Sequence, residues 1–458
     1  MKPIKSTWKE KIFYAFGNMG SYILWAFVAT YVTIYVTECV QPGDDLVKLM
    51  GTLILVCRVF DAFSDIFMGL VIEKTHSRFG KARLWFGISI IPMLITFFFI
   101  FFFSGADKLG AIICITVFYF LFTVVFYTMN NVSFNAILPL ISNDKFDQSN
   151  ICLIDSIFTS VGGFFSAFAL TFLNKFGGQD QQSSWIYFTL ILIALALVSQ
   201  ILCFSFVKEK PEISPVAKVK PTREELRKGF HSLFTTSFFY ISVAMFTINY
   251  YLSLSVTTIG KYYALYVLNY ELAFSLFGSV PMVTMGIGLL LTPLLIKKIK
   301  KKYTLMLAIF FVMLGNIIGS CFPYSYAAAF TGVMVKGLGS AVVMSQLFTL
   351  APDVVTYLEV KDGVRVEGLA ASGMSFGLKI GSGLGSALVM WSLSWCHYVS
   401  GETPTEAGIY TFIALYWWVP AVLSGVLLLL SSFWNIDKKT AAILEQKEKA
   451  KALQQTQF

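Results

Sequence analysis

Charged residues are scarce in this chain of 458 residues: Asp, Glu, Lys and Arg make up 13% of it, whereas 56% is hydrophobic and 16% is aromatic. Soluble globular proteins carry about 25% charged residues, so the composition excludes a water-soluble globular domain. Apolar stretches of about 18 residues or more recur along the whole length, and each is long enough to cross a bilayer. The sequence therefore predicts an all-α polytopic protein of the lipid bilayer.

Histidine and paired cysteine are lacking as well. The chain has three His, and its seven Cys are scattered singly, without a C-x-x-C pair or a Cys/His cluster. These features disfavour a disulfide scaffold and a zinc site. A nucleophile–base pair and a Gly-rich phosphate loop after a strand are also missing from the sequence, which disfavours a membrane enzyme and an ATP-driven pump. We expect no enzymatic activity and no cofactor apart from a coupling cation.

The hydrophobic segments predict twelve transmembrane helices in two bundles of six. Residues 208–230 form the longest hydrophilic interruption, with three Pro and mixed charge, which is typical of a cytoplasmic linker that ends in a short surface helix. The predicted organisation is an amino-terminal bundle (1–207), a linker (208–233), a carboxy-terminal bundle (234–434) and a cytoplasmic tail (435–458). The predicted spans are approximately 12–38, 47–73, 84–104, 109–141, 151–173, 184–207, 234–267, 272–296, 303–322, 326–351, 366–393 and 408–434.

Basic residues are concentrated in alternate connecting segments, which predicts the orientation of the chain. Runs such as 73–83 and 297–302 are rich in Lys and Arg, as cytoplasmic loops are. We expect both termini in the cytoplasm and the protein in the cell membrane. The net charge of +9 follows from this orientation and does not indicate a nucleic-acid partner. The basic residues assigned to the outer segments are only Lys48, Lys108, Lys175 and Lys261.

The second span contains the stretch "RVFDAFSDIFMG", which places Arg58, Asp61 and Asp65 on one helical face with Ser64 beside them. An ionisable side chain at mid-membrane costs at least about 2.5–3.5 kcal/mol on insertion scales. The two carboxylates suit a cation or proton site, because hard cations prefer such oxygens. The alternative is an Arg58–Asp61 pair that only ties helices together, although this leaves Asp65 without a partner from the sequence.

Two other spans carry polar faces. In the fourth, Thr128, Asn131 and Asn135 share one face and are suited either to a cation shell and a polar ligand or to interhelical hydrogen bonds. In the eleventh, Lys379 lies at the centre of a serine stripe, and we expect it to pair with Asp61 or Asp65 or, alternatively, to reach water inside the bundle. Small residues four apart also allow another helix to approach this span. The serine stripe consists of Ser372, Ser375, Ser382 and Ser386, and the small residues four apart are Gly377, Gly381 and Gly385.

Four segments resemble the glycoside–pentoside–hexuronide:cation symporters of the major facilitator superfamily. The first is R-x-x-D-x-x-x-D-x-x-M-G leading to R-x-G-K-x-R, over residues 58–83; the others are "KIFYAFGNMGSY", "DVVTYLEVKDGVRVEG" and "SFGLKIGSGLGSAL". The resemblance implies two six-helix bundles, a coupling cation bound by Asp61 and Asp65, and a helix-four Thr at Thr128. It also implies a helix-eleven Lys at Lys379, and Arg365 and Glu367 as a cytoplasmic gate.

The chain departs from the family where the family holds sugar. Tyr22 replaces an Asp in the first span, Asn131 replaces an Asp and Asn135 an aromatic residue in the fourth, and Asp155 replaces an Arg in the fifth. The Arg-to-Asp change argues against an anionic hexuronide. We therefore expect cation binding by Asp61, Asp65, Ser64, Thr128 and Asn131, and solute binding by Tyr22, Asn131, Asn135, Asp155 and Lys379.

The function that these features predict is a secondary active symporter in which Na⁺ or H⁺ entry drives uptake of a sugar or glycoside. It would work by alternating access, as a monomer, with a small-molecule solute as its partner. The alternative is a major-facilitator transporter of a non-sugar solute that is possibly cationic, because Asp155 supplies a negative charge.

Overall fold

The computed structural model describes residues 4–75, 77–105, 107–142, 144–210, 223–270, 272–363 and 367–456, and within these ranges the chain forms helices and no strands. Segments of π-helix continue several α-helices; they are Tyr35–Val40, Leu121–Tyr127, Tyr263–Val267 and Ala414–Trp418. The α-helices are α1 (Trp8–Ile34), α2 (Asp44–Lys74), α3 (Lys81–Ile100), α4 (Lys108–Phe120), α5 (Thr128–Ile141), α6 (Lys145–Ala167), α7 (Ala169–Lys175), α8 (Gln182–Phe206), α9 (Arg223–Thr235), α10 (Ser237–Tyr262), α11 (Leu272–Cys321), α12 (Tyr326–Leu347), α13 (Leu350–Asp362), α14 (Glu367–Trp395), α15 (Glu406–Ile413), α16 (Val419–Phe433) and α17 (Ile436–Thr456).

The described helices account for the predicted twelve spans. Ten helical stretches are long and apolar enough to cross a membrane. One of them is the 50-residue α11, which holds two predicted spans because the backbone leaves the helical conformation at Lys300 (φ 65°, ψ 157°). The remaining span is α2, which has sufficient length at 31 residues but carries Arg58, Asp61 and Asp65 in its middle.

The predicted connections are also helical in part. The linker ends in α9, as expected, and α17 makes most of the tail a helix. The fifth span begins earlier than predicted, at Lys145 instead of 151, and Asp147 in its first turn forms an ion pair with Lys11. The third span ends at Ile100, before the predicted 104.

The chain folds into two compact units. The first comprises residues 1–216, 253–282 and 382–416, and the second comprises residues 217–252, 283–381 and 417–458. The first unit therefore contains the whole amino-terminal half together with two stretches from the carboxy-terminal half. Each unit is described separately below.

An aromatic core fixes α1 in the middle of the first unit, where it packs against α6 and α8. The Phe27 ring lies 4.8 Å from the Tyr31 ring and 4.9 Å from the Phe101 ring, and the rings of Phe101 and Trp185 stack at 5.7 Å. All four side chains are almost completely buried. With its aromatic face held in this way, α1 turns Asn18 towards α6.

In the second unit, the first part of α14 lies against α10. A Cβ atom at Gly381 would lie 2.2 Å from the carbonyl oxygen of Thr247, and one at Gly377 would lie 2.8 Å from that of Val243. Only glycine fits at this distance, which confirms the predicted close helix approach at these two positions. In the same unit α13 packs against α17 and α9, so the tail helix is part of the folded structure.

Candidate functional site

The charged face of α2 is turned into the first unit. Arg58 and Asp61 are 3% and 4% exposed, and Asp65 is half-buried. Arg58 Nη1 lies 3.5 Å from Asp61 Oδ2, and the guanidinium lies 5.7 Å from the centre of the Tyr119 ring. This ion pair is long for a buried one, since charge-assisted N–H···O bonds are usually about 2.7–2.9 Å. Arg58 therefore offsets the charge of Asp61 at a distance longer than that of a tight ion pair.

Hydroxyl groups complete the surroundings of Asp61. Thr128 Oγ1 donates to Asp61 Oδ1 at 2.8 Å and also lies 3.0 Å from the carbonyl oxygen of Thr123. Ser64 Oγ lies 3.3 Å from Thr128 Oγ1 and 2.9 Å from the carbonyl oxygen of Asp61. The structure thus brings together three of the predicted cation ligands: a carboxylate and two hydroxyls.

The π-helix Leu121–Tyr127 is responsible for the position of Thr128. A π-turn inserts an extra residue into the helix, and such turns are frequent at functional sites. Here the turn ends directly before Thr128, whose hydroxyl reaches back to the carbonyl oxygen of Thr123, five residues earlier. The widened turn aims the threonine hydroxyl at α2.

This set of ligands suits a monovalent cation or a proton. Carboxylate and hydroxyl oxygens are the ligands that hard cations prefer. Within the described ranges no group of three or more His, Cys, Asp and Glu side chains is arranged to hold a metal ion. The groups that the structure offers around Asp61 are a carboxylate and two hydroxyls.

Asn131 contacts the predicted solute residues in place of the carboxylate of α2. Its Nδ2 donates to the hydroxyl of Tyr127 at 3.2 Å, and its Oδ1 accepts from Asn135 Nδ2. Tyr127 stacks on Trp25, with ring centres 6.5 Å apart, and Trp25 lies 6.0 Å from the ring of Tyr22. Together these five side chains form a surface of amides and aromatic rings, which we call the amide–aromatic surface.

Asp155 has a polar partner that the sequence did not reveal. Asn18 Nδ2 lies 2.9 Å from each of the two carboxylate oxygens of Asp155. No Lys or Arg in the described part of the chain forms an ion pair with this carboxylate, whose oxygens accept from the neutral amide of Asn18. Asn18 lies one helical turn before Tyr22, within the family-like segment "KIFYAFGNMGSY", and these were the signals in the sequence that could have found it.

The remaining predicted residues lie in the second unit or outside the described residues. Lys379 is buried, with 8% exposure, on α14. Its pairing with Asp61 or Asp65 stays a prediction. Arg365 lies outside the described residues, and so does the side chain of Glu367, although Glu367 begins α14.

Solved structures with similar architecture are transporters. The crystal structure of a D-xylose-proton symporter superposes with a TM-score of 0.65 over 93% of this chain and 97% of its own, at 13% identity. The nucleoside transporter NupG gives a TM-score of 0.63 over 92% and 99%, at 15% identity. At these identities the likeness shows the fold alone.

Sequence comparison defines the family more closely. Residues 13–438 match the MFS/sugar transport protein family. The isoprimeverose transporter of Lactiplantibacillus pentosus is 26% identical over 96% of this chain and 92% of its own. The glucuronide carrier protein homolog of Escherichia coli K12 is 24% identical over 98% and 97%. The chain belongs to the glycoside–pentoside–hexuronide:cation symporter family of the major facilitator superfamily, as the sequence motifs predicted. It is a multi-pass membrane transporter for a small-molecule solute and not an enzyme.

Proposed function

We propose that this protein is a secondary active symporter that couples the entry of Na⁺ or H⁺ to the uptake of a sugar or glycoside by alternating access. The observation that carries the proposal is the buried Asp61 carboxylate, with Thr128 at 2.8 Å and Arg58 held 3.5 Å away. The protein works as a monomer in the cell membrane, with both termini in the cytoplasm and with no cofactor besides the cation.

The driving force for such coupling is sufficient. The membrane potential supplies about 2.3 kcal/mol per elementary charge for each 100 mV. One cation per cycle therefore concentrates a neutral solute roughly fifty-fold at that potential, since each 1.4 kcal/mol is a factor of ten.

A sugar or glycoside is favoured as the solute by the amide–aromatic surface. Amide groups exchange hydrogen bonds with hydroxyls, and aromatic rings cover the apolar faces of sugar rings. The isoprimeverose transporter, a relative along almost the full length, supports a glycoside of this kind. Asp155 disfavours an acidic sugar, because a second negative charge beside its carboxylate would be repelled.

A cationic solute is the second candidate, and the Asn18–Asp155 pair is what favours it. Among the described residues, the carboxylate of Asp155 accepts hydrogen bonds from the neutral amide of Asn18. A carboxylate that is held in this way within a membrane span attracts a positive group. On this alternative, an amino group of the solute would take the place that a lysine or arginine occupies in other buried pairs.

The experiment uses purified protein in vesicles under imposed Na⁺ or H⁺ gradients, with labelled isoprimeverose, a glucuronide and an aminosugar as solutes. We expect accumulation of a neutral sugar with one of the two gradients. Asp61→Asn should abolish accumulation while exchange of solute down its gradient survives. Asp45→Asn changes an exposed acid at the start of the same helix and should behave like the parent.

Each result assigns the solute class. Accumulation of the aminosugar alone, lost in Asp155→Asn, would favour the cationic alternative. If Asp61→Asn concentrates solute as well as the parent does, the proposed coupling site is wrong.

A further inference from the structure

The first unit contains a second group of buried charges, separate from Arg58 and Asp61 of α2. Lys261 Nζ lies 3.0 Å from Glu38 Oε1, and the two side chains are only 1% and 9% exposed. The hydroxyl of Tyr398 donates to Glu38 Oε1 at 2.8 Å, and the hydroxyl of Ser400 donates to Glu38 Oε2. The carboxylate of Glu38 is thus held by one cation and two hydroxyls.

Aromatic side chains extend this group. The hydroxyls of Tyr262 and Thr37 are 2.6 Å apart, and the ring of Tyr262 lies 5.1 Å from that of Tyr398. We call the six residues that share these contacts the outer cluster: Thr37, Glu38, Lys261, Tyr262, Tyr398 and Ser400. Two of them follow α1, and four come from the carboxy-terminal half of the chain.

All six residues lie at the same predicted side of the membrane. Thr37 and Glu38 lie at the end of the first span, Lys261 and Tyr262 lie near the end of the seventh, and Tyr398 and Ser400 lie between the eleventh and twelfth. The orientation predicted from Lys and Arg places each of these positions at the outer surface. The outer cluster therefore joins the two halves of the sequence at their outer ends.

We propose that the outer cluster is the outer gate of the transporter, held closed in this structure by the Glu38–Lys261 ion pair. The inference rests on the alternating access proposed above, in which the two halves separate at one end at a time. A buried ion pair suits a contact that must open, because both charges gain hydration when they part. An apolar contact of the same area would expose hydrophobic surface to water on opening.

Two uncharged contacts join the same halves at this end. Thr171 Oγ1 and Ser275 Oγ are 3.2 Å apart. Trp391 Nε1 donates to the carbonyl oxygen of Lys48 and to Thr52 Oγ1, both at 3.2 Å. Each of these contacts reports whether the outer ends of the halves are together without adding a charge to the gate.

An exposed charged contact lies at the same end. His397 Nδ1 contacts a carboxylate oxygen of Asp44, and the two side chains are 80% and 36% exposed. An exposed ion pair contributes only about 0–1 kcal/mol, and this one carries charge on both sides only when the histidine is protonated. Parting it changes the hydration of its groups little, so the buried Glu38–Lys261 pair is the one on which we expect closure to depend.

The gate can be measured through a disulfide that forms only when the outer end is closed. Thr171→Cys and Ser275→Cys place two thiols where the hydroxyl oxygens of the parent are 3.2 Å apart, so that they can meet and form a disulfide. A protease site inserted in the linker between residues 211 and 222 separates the halves after oxidation, so a joined product on a non-reducing gel reports the disulfide. The parent with the linker site but without the two new cysteines gives the background from the seven natural Cys.

In solute-free vesicles we expect rapid cross-linking of the two introduced cysteines. Adding Glu38→Gln leaves Lys261 charged, buried and without its carboxylate, which penalises the closed state. Cross-linking should slow by about tenfold, which corresponds to about 1.4 kcal/mol. Adding Lys261→Met as well removes both charges, and most of the rate should return.

The matched control is Lys210→Met, which breaks an ion pair within one half, Lys210 Nζ–Glu10 Oε2 at 3.2 Å. It should leave the cross-linking rate unchanged. Tyr398→Phe keeps both charges and removes one hydroxyl, and should slow cross-linking about two- to threefold; it replaces Glu38→Gln if that variant does not fold. The gate proposal is wrong if Glu38→Gln, or Tyr398→Phe where that variant is tested, cross-links at the rate of the parent protein. It is also wrong if Lys210→Met slows cross-linking equally.

A separate readout tests alternating access itself. Uptake by the cross-linked protein should stop and should return after reduction. If the cross-linked protein still accumulates solute, alternating access is wrong. The cross-linking rates are measured without solute or gradient, so they judge the charge dependence of the gate independently.

Discussion

The two buried acid–base pairs, Arg58–Asp61 and Lys261–Glu38, differ in the distance between their charged groups, which is 3.5 Å in the first and 3.0 Å in the second. Glu38 is held by an ammonium group at 3.0 Å and by two hydroxyls, so its oxygens have partners on every side. Asp61 has a guanidinium at 3.5 Å and a threonine hydroxyl that is shared with a backbone carbonyl. The short pair of Glu38 suits a contact between helices, whereas the long Arg58–Asp61 distance suits a carboxylate that takes part in binding a ligand.

A third buried pair marks the purely structural extreme. Lys11 Nζ lies 2.5 Å from Asp147 Oδ1, and Asp147 Oδ2 also accepts from the backbone and hydroxyl of Ser6. Both charged residues belong to the amino-terminal half, so no movement between the halves would separate them. Burial alone therefore does not distinguish a binding site, a gate and a structural pair; the partners and the distance do.

The largest effect is expected at this structural pair. Lys11→Met leaves Asp147 buried without its cation, and breaking such a pair costs about 3–5 kcal/mol. The thermal unfolding midpoint in detergent should fall sharply. The control is Lys5→Met, which removes a 3.3 Å pair with Asp144 whose lysine is 60% exposed; an exposed pair contributes about 0–1 kcal/mol. Equal shifts for the two variants would contradict the comparison.

An intermediate effect is expected at the coupling site. Thr128→Ala removes the hydroxyl that lies 2.8 Å from Asp61, and a hydrogen bond to a charged group contributes about 1.5–3 kcal/mol. The cation concentration that gives half-maximal uptake should rise by about tenfold or more, with little change in solute affinity at saturating cation. Thr128→Ser keeps the hydroxyl and should stay near the parent. If Thr128→Ala has the same cation dependence of uptake as the parent protein, Thr128 is not part of the cation site.

The smallest of the three effects is expected at Gly383, where α14 touches α2. A Cβ there would lie 2.9 Å from Arg58 Cβ and 3.1 Å from Arg58 Cγ, so Gly383→Ala must displace Arg58. Overpacking of this kind costs about 1–3 kcal/mol, and the cation affinity should fall severalfold. Gly69→Ala is the control, since nothing lies within 4 Å of its new Cβ. If the two variants have the same cation affinity, the position of Arg58 does not affect cation binding.

The sequence predicted the parts of the molecule that depend on local spacing. The shared face of Arg58 and Asp61 follows from the helical period, and the twelve spans follow from apolar length. The sequence could not predict which residues meet across the fold. Lys261 was assigned to an outer segment, yet it is 1% exposed because Glu38 and Tyr398 close over it.

The sequence also could not predict where a helix departs from regular α-helical geometry. The π-turn before Thr128 leaves no mark in the hydrophobic pattern, although it decides where that hydroxyl points. Asn18 lies in the family-like segment "KIFYAFGNMGSY", but its contact with Asp155 appears only once α1 and α6 are packed together. The family resemblance supplied the candidate residues around Asp61, and the contacts of Thr128 and Ser64 supplied their arrangement.

The charges of α2 also have a consequence for how the chain is made. A helix with three ionisable residues in its middle pays about 2.5–3.5 kcal/mol for each at the centre of the bilayer, and α2 is not among the ten apolar stretches. During synthesis this helix would not partition into lipid by itself. It must enter beside α4 and α5, which bring Tyr119 and Thr128 to its charged face. The residues proposed to bind the cation thus also help to accommodate the charges of α2 within the bilayer.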